Sequence, residues 1–506
     1  MILVTHHKEQ IVSCLDIQSD SLITSVSSLV VTAIVEIAQR FPDRWIVWCQ
    51  EDHEKSLDLD LLSKSCTHHR VMLSHNTGRN QYFGSSIGYI EETPFINVRN
   101  SVPYPTWQMN GIAGAIHSDT LATLCSPLKG NSTLAYFLSS MAKRGQSLGL
   151  LAYQLPLLTG DIHLEKASSS EVYRFVSEHY KKRWLPFLLF CQVRYERKFP
   201  LFSFLKVLFT KPLIVKGNLS EITSQKSASQ IVDVLIPTIG RKSYLRDVLK
   251  DLSAQTLLPE RVIIIEQNPD VNSVSELDYI HTEDWPFTII HRFIHQIGAC
   301  NARNIGLSLV EGDWLFMADD DIRFDTDIIE SALDFTATYS CNACTVSCLL
   351  EGQKEVIETP IQWVGFGSGC SFIKVSAIGD LRFDMALEHG FGEDADFGNQ
   401  LRKKGVDILY APHIQIKHLK APVGGFRAPL VHPWESDAPK PAPTVMVSIL
   451  KHWSLSQRLG YKLKLWSKFY NRQSIKNPLR YLREMRIRWD KSIYWAHKLI
   501  EEHREN

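Results

Sequence analysis

Three clusters in the 506-residue chain carry groups able to do chemistry. The first is Asp319-Asp320-Asp321, directly after the apolar run Trp314-Leu315-Phe316-Met317-Ala318. Adjacent carboxylates repel one another and cost stability unless something positive binds them. Their hard oxygens suit Mg²⁺ or Mn²⁺, ions that keep several waters and bridge substrate phosphates. A solvated acidic turn explains the same run, because Asp is a favoured turn residue. The second cluster is Gly392-Glu393-Asp394-Ala395-Asp396-Phe397, ahead of Leu401-Arg402-Lys403-Lys404-Gly405. Acids first, bases last and a closing Gly spell a helix matched to its own dipole. That pattern accounts for Glu393 and Asp396, but not for Asp394 arriving straight after a glycine-flanked loop. The third is Gly298-Ala299-Cys300-Asn301-Ala302-Arg303-Asn304-Ile305-Gly306. Small residues at a helix start let an anion approach the backbone, and Arg303 can pair with a phosphate. The alternative is that these glycines only pack.

The elements that must hold these groups alternate. Residues 231–236 read as a buried strand closed by Pro237, 246–257 as a helix, and 261–266 as a strand. A β-rich run covers 287–292, a helix 298–309, and a strand 314–318 ends in the acids. Strand–helix repetition with apolar strands predicts an α/β fold on a mostly parallel sheet. Ligands of such sheets bind at the carboxyl ends of the strands, where all three clusters fall.

In this order, Pro237-Thr238 with Arg241, Ala302-Arg303-Asn304, Asp319-Asp320-Asp321 and Gly392-Glu393-Asp394 resemble the family 2 glycosyltransferases of the GT-A fold. The resemblance covers residues 231–426 and implies a Rossmann-like, nucleotide-diphospho-sugar transferase domain. It implies that Asp319 and Asp321 hold a divalent cation, Mn²⁺ or Mg²⁺, on the donor diphosphate. Asp394 resembles the catalytic base, with Glu393 helping to place the acceptor. Arg303 and Asn304 resemble the nucleotide-proximal pair, Thr238, Arg241 and Asp320 the nucleotide edge, and His418 a late histidine on the metal or diphosphate. The partners so implied are a nucleotide sugar, a UDP-sugar first among them, and a glycan or glycolipid acceptor. The implied reaction is single displacement with inversion, in surface polysaccharide or glycolipid synthesis. One departure matters: where the family shows an Asp that reads the nucleobase, this chain has Glu266-Gln267-Asn268-Pro269-Asp270. Glu266 takes that place, and the identity of the base stays open. Two other classes also stay open, a nucleotidyltransferase on a related core and a carbohydrate-binding or scaffolding pseudoenzyme. Pro237-Thr238-Ile239-Gly240-Arg241 does not spell the glycine-rich loop of the former.

The remaining chain divides into residues 1–160, a helical aromatic connector 161–229, the catalytic domain 230–426, and a helical tail 427–506. Residues 1–160 echo the catalytic domain. Trp45-Ile46-Val47-Trp48-Cys49 followed by Gln50-Glu51-Asp52 parallels Trp314–Ala318 and its aspartates, and Pro105-Thr106-Trp107 with Gly111 parallels Ile361-Gln362-Trp363 with Gly367. Counting back from Gly149 puts Leu138 where Asp394 would be, and only about 49 residues precede Gln50, against about 88 between Ile231 and Asp319. This predicts a degenerate GT-A-like domain that supports the active one or binds acceptor.

Formal net charge is zero, which argues against nucleic-acid binding, but residues 451–506 hold 14 Lys/Arg against 5 Asp/Glu. Basic, aromatic helices of that kind lie on anionic membranes or pack with their bases in water. For the tail both readings stand; for the connector, packing is the expectation. Ten scattered cysteines and no signal peptide or long apolar span predict a cytoplasmic protein, peripheral at most to the inner face of the membrane. The Cys341-x-x-Cys344 pair reads as buried thiols.

Overall fold

The computed structural model describes residues 1–24, 26–125, 132–159, 162, 164–213, 217–388, 390–422 and 432–503. The boundaries expected at 160–161 and 426–427 lie outside them. The chain forms two compact units, Met1–Thr223 with Ser454–Lys464, and Ser224–Trp453 with Leu465–Asn506.

The second unit carries the acids. Its strands are β9 (Val232–Thr238), β10 (Arg261–Gln267), β11 (Thr288–Ile294), β12 (Trp314–Ala318), β13 (Ile322–Phe324), β14 (Ala343–Leu350), β15 (Ile361–Gln362), β16 (Cys370–Lys374) and β17 (Leu409–His418). They join in the order β11-β10-β9-β12-β16-β14-β17-β13, with β15 on β17. From β11 to β12 the pairing is parallel. β9, β10 and β12 read as largely apolar runs because both faces are covered, and the buried Asp233 that breaks β9 pairs with Arg261 at 2.7 Å. Val234, Ile264, Phe316 and Phe372 are fully buried, the last two stacked at 4.2 Å. Each such side chain contributes about 1.5–3 kcal/mol by leaving water. The helix Lys242–Ser253 buries Leu245, Val248, Leu249 and Leu252 at helical spacing. It starts earlier than the expected 246–257, because Gly240, at φ +61°, turns the chain directly after β9.

The first unit repeats this sheet in part. Its strands are β1 (Ile2–His7), β2 (Gln10–Asp16), β3 (Ser21–Leu22), β4 (Trp45–Gln50), β5 (Val71–His75), β6 (Tyr104–Pro105), β7 (Ala113–His117) and β8 (Leu151–Leu155). The path β1-β4-β7-β5-β8-β6 has the same sequence of parallel and antiparallel pairings as β9-β12-β16-β14-β17-β15. Register agrees as well. Cys49 pairs with Ala113 as Ala318 pairs with Cys370, so Gln50-Glu51-Asp52 takes the position of the three aspartates. Beyond β9 the second sheet adds two parallel strands, whereas beyond β1 the first adds only the antiparallel β2 and β3. Leu138 is buried in the helix Leu134–Gly145, and the Glu9 carboxylate accepts the Leu134 N–H at 3.0 Å.

The connector departs from the packing expected of it, while the tail, for which two readings stood, packs along one stripe. The helix Pro478–Glu502 buries Tyr481, Met485, Trp489, Ser492 and Ala496 along one stripe. In the connector Leu185, Leu188 and Cys191 are buried, but Phe199, Phe202 and Phe209 stand in solvent. Packing therefore buries one stripe of the tail helix, with Leu479, Leu482, Ile487 and Tyr494 left exposed, and covers the connector helix Leu201–Val207 on one side only. All ten cysteines are free, Cys344 buried within β14. Among the described residues no helix is long and apolar enough to cross a membrane.

Candidate active site

The three aspartates leave β12 and diverge, because each meets a different partner. Asp320 turns inward, accepting from Thr238 Oγ1 at 2.7 Å and from Arg241 Nη1 at 2.6 Å. Burial pushes its carboxyl up, while Arg241 and Thr238 hold it toward the charged form. Asp321 is also buried and accepts from the Ala421 N–H at 2.8 Å, with His418 Nε2 at 3.4 Å and Arg241 at 3.2 Å. Burial opposes its charge. The His418 contact, the Ala421 N–H and Arg241 outweigh it, so the carboxyl sits below the usual range. His418, half-buried, is raised by the same contact with Asp321.

Asp319 stays partly open to solvent. Its backbone N–H donates to Gly369 O at 3.1 Å, and a Cβ at residue 369 would fall 2.1 Å from Asp319 Oδ2. A glycine there lets the Asp319 carboxylate keep this position. Ligand atoms of Asp319, Asp321 and His418 lie within 4.8 Å of one another. Two carboxylates and an imidazole converging in this way form a donor set able to hold a divalent cation.

Ser368, next to Gly369, links this group to the acidic helix. The helix Glu393–Lys403 begins after Gly392, at φ +115°, and places Asp394 in its first turn. Ser368 donates to Asp394 Oδ1 through its hydroxyl and, at 3.3 Å, through its N–H. Burial raises the Asp394 carboxyl above the ordinary Asp range; Arg303 and Ser368 oppose the shift. Burial and Asp394 raise Glu393 too. A carboxylate made more basic by burial is suited to accepting a proton.

Arg303 lies between the two groups. It is 7% exposed, its Nη2 stands 3.5 Å from Asp319 Oδ1, and its guanidinium lies 5.5 Å from the Phe383 ring. Nε and Nη1 are buried and make no hydrogen bond among the described residues. Buried donors are almost always paired, so unspent N–H groups beside Asp319 suit an acceptor-rich ligand.

Other residues singled out from sequence are spent inside the protein. Asn304 clips the Phe383 backbone, donating to its carbonyl at 2.8 Å and accepting its N–H at 2.7 Å. Glu266, at the end of β10, accepts from Ser275 at 2.5 Å, the Glu276 N–H at 3.1 Å and His291 at 2.9 Å. Thr238 and Arg241 act on Asp320. The helix Ala299–Leu307 does offer its N-terminus to an anion, but that anion is Glu388, which accepts the Cys300 and Asn301 N–H groups at 3.1 and 2.7 Å. The reading of this helix start as a phosphate seat is thus corrected. A Cβ at Gly298 would meet the same Glu388 carboxylate at 2.3 Å.

Sequence reasoning missed Ser368, Gly369 and the buried pair of Asp396 with His452. The run Gly365-Phe366-Gly367-Ser368-Gly369 signals a close backbone approach. Nothing local marks His452, which lies 56 residues from Asp396.

Residues 233–384 match the model of Glycosyl transferase family 2. An uncharacterized glycosyltransferase of Haemophilus influenzae is 31% identical over 103 residues, which are 20% of this chain and 33% of the relative. The chain thus spans about a third of the length of that relative. Among solved structures, S. aureus TarS 1-349 in complex with UDP-GlcNAc aligns at 13% identity and a TM-score of 0.39, over 54% of this chain and 92% of that one. GalNAc-T7 with UDP, GalNAc and Mn²⁺ aligns at 13% and 0.35, over 54% and 58%. The match takes in Thr238, Arg241, Arg303 and the three aspartates and stops short of Asp394 and His418; the chain carries a glycosyltransferase family 2 domain.

Proposed function

We propose that the second unit transfers a sugar from a nucleotide-diphosphate donor to an acceptor hydroxyl by single displacement with inversion. The observation that carries this reading is Arg303, buried with two unspent donors between Asp319 and the Asp394 helix. Asp394 accepts the proton of the acceptor hydroxyl as its oxygen bonds to the anomeric carbon and the bond to the diphosphate oxygen breaks. Arg303 receives charge developing on the departing diphosphate. Glu393 borders the acceptor. Asp319, Asp321 and His418 would hold a divalent cation, Mn²⁺ or Mg²⁺, which when bound neutralises the diphosphate. Thr238 and Arg241 serve the nucleotide by fixing Asp320, Asn304 by fixing the backbone beneath Arg303, and Glu266 by walling the base edge.

The donor we propose is a UDP-sugar and the acceptor a glycan or glycolipid of a surface polysaccharide. The proposed setting is the cytoplasmic face of a membrane, met by the exposed Arg480, Arg483 and Arg486 of the tail. The first unit, with the same sheet path but Leu138 in place of Asp394, is proposed as a supporting or acceptor-binding domain. Hydrolysis of a panel of nucleotide sugars with and without Mn²⁺ tests the reading. One UDP-sugar should be cleaved only with the cation, and Asp394→Asn should lower transfer about 10²–10⁴-fold while donor still binds. Turnover by that variant close to wild type, or hydrolysis indifferent to the cation, would reject the assignment.

A further inference from the structure

The connector presents apolar side chains to water in an ordered way. Helix Leu201–Val207 packs inward through Val207 and through Phe204, whose ring lies 6.2 Å from Tyr173. Its outer side carries Phe202 and Leu205, and Phe209 follows just past its end, at helical spacing i, i+3, i+7. Phe202 is 85% and Phe209 89% exposed, and Phe190, Val193, Phe199 and Leu201 are exposed nearby. So many large apolar groups on one short stretch mark an interaction surface, since folding would otherwise have covered them.

Charge selects the partner. Residues 181–211 hold eight Lys/Arg and one acid, Glu196, an excess of +7. All eight bases are exposed. Glu196 is drawn inward, accepting from Ser86 Oγ at 2.7 Å. A second copy of the chain would set this +7 surface against itself. Bare Phe side chains interleaved with Lys and Arg match a lipid boundary instead, rings below the headgroups and bases at the phosphates.

We infer that the connector docks the first unit on an anionic lipid surface through Phe199, Phe202, Leu205 and Phe209, with Lys198, Lys206 and Lys211 at the headgroups. This deepens the membrane location proposed above and rests on it, placing the apolar contact, and with it most of the binding, in the connector. It needs nothing from the transfer reaction.

Flotation of the full chain with vesicles tests it. With about one-third phosphatidylglycerol at low salt, most of the protein should float; with phosphatidylcholine alone, or in 0.5 M salt at ~4 Å screening length, little should. Phe202→Ser/Phe209→Ser should cut the floated fraction at least about fivefold with an unchanged melting curve, since both side chains already stand in water. Arg480→Gln/Arg483→Gln/Arg486→Gln should retain most of it. Wild-type protein that stays in solution, or a double variant that floats like wild type, overturns the inference. So does loss of flotation only in the tail variant, or a wild-type dimer that the double variant converts to monomer. Nucleotide-sugar hydrolysis by these variants, measured without vesicles, reports separately on the catalytic reading.

Discussion

Arg303 Nη2 stands 3.5 Å from Asp319 Oδ1, while two other nitrogens of the same buried guanidinium contact no acceptor among the described residues. The pair is poised for a third component that brings oxygens. Arg303→Lys keeps a charge but loses the planar fork that meets a diphosphate at several points. We expect transfer to fall about 10²-fold, mostly in kcat, with little change in melting temperature. Steady-state kinetics beside a thermal melt decides it; an unchanged kcat would remove Arg303 from the reaction.

Ser368 tunes Asp394 by donating to its charged form. Removing the hydroxyl leaves burial less opposed, so the carboxyl rises further. As the proposed base, Asp394 must be ionised to take a proton, so on that reading activity is present above its pKa and lost as pH falls through it. In Ser368→Ala the acidic limb of kcat should therefore move to higher pH by about one unit. A limb that stays put or moves down would show that another group sets it.

Gly369→Ala separates the aspartates from the fold. The atoms nearest the added methyl belong to the Asp319 carboxylate, the movable end of a side chain. Stability should change by about 1 kcal/mol or less. Asp319 must swing from its place near Asp321 and His418, so the Mn²⁺ concentration for half-maximal activity should rise at least about tenfold. Calorimetric unfolding and a metal titration check the two halves, and unaltered metal dependence would refute the shared role of Asp319.

His452 and Asp396 form a buried pair, Nε2 to Oδ1 at 2.5 Å, joining the helix Pro443–His452 to the acidic helix. Burial lowers His452, against the pull of Asp396; burial opposes ionisation of Asp396, but His452 holds its carboxyl below the ordinary range. Both folded-state values lie below their unfolded ones. Their stabilisation is therefore present above about pH 6.5 and is lost as pH falls through the His and then the Asp range. His452→Ala should destabilise the second unit by about 3 kcal/mol near neutrality, by stranding a buried carboxylate. Chemical denaturation should show that cost at pH 7.5 and a smaller one at pH 5, and its absence at pH 7.5 would mean the pair is not coupled to folding.

How much of this was legible beforehand follows from the range of the forces involved. Apolar runs marked β9, β10 and β12, because burial on both faces demands continuous hydrophobic sequence. The order of Asp319-Asp320-Asp321, Arg303 and Asp394 along the chain was enough to name the family, and the echo of Trp45–Gln50 in Trp314–Ala318 was enough to expect a second sheet of like topology.

Tertiary structure decided what each group is free to do. Asn304, Glu266 and the helix start at Ala299 carry the right chemistry, yet Phe383, Ser275 with His291, and Glu388 already occupy them. Arg303 carries no stronger local signal than these and is left with donors to spare. Likewise the aromatic connector and the aromatic tail read alike in sequence, but the tail buries a stripe from Tyr481 to Ala496, Trp489 included, while Phe202 and Phe209 stay in water. Local sequence determines which groups are present and in what periodicity. Whether a group is already satisfied depends on partners tens of residues away, and only the folded chain brings those together.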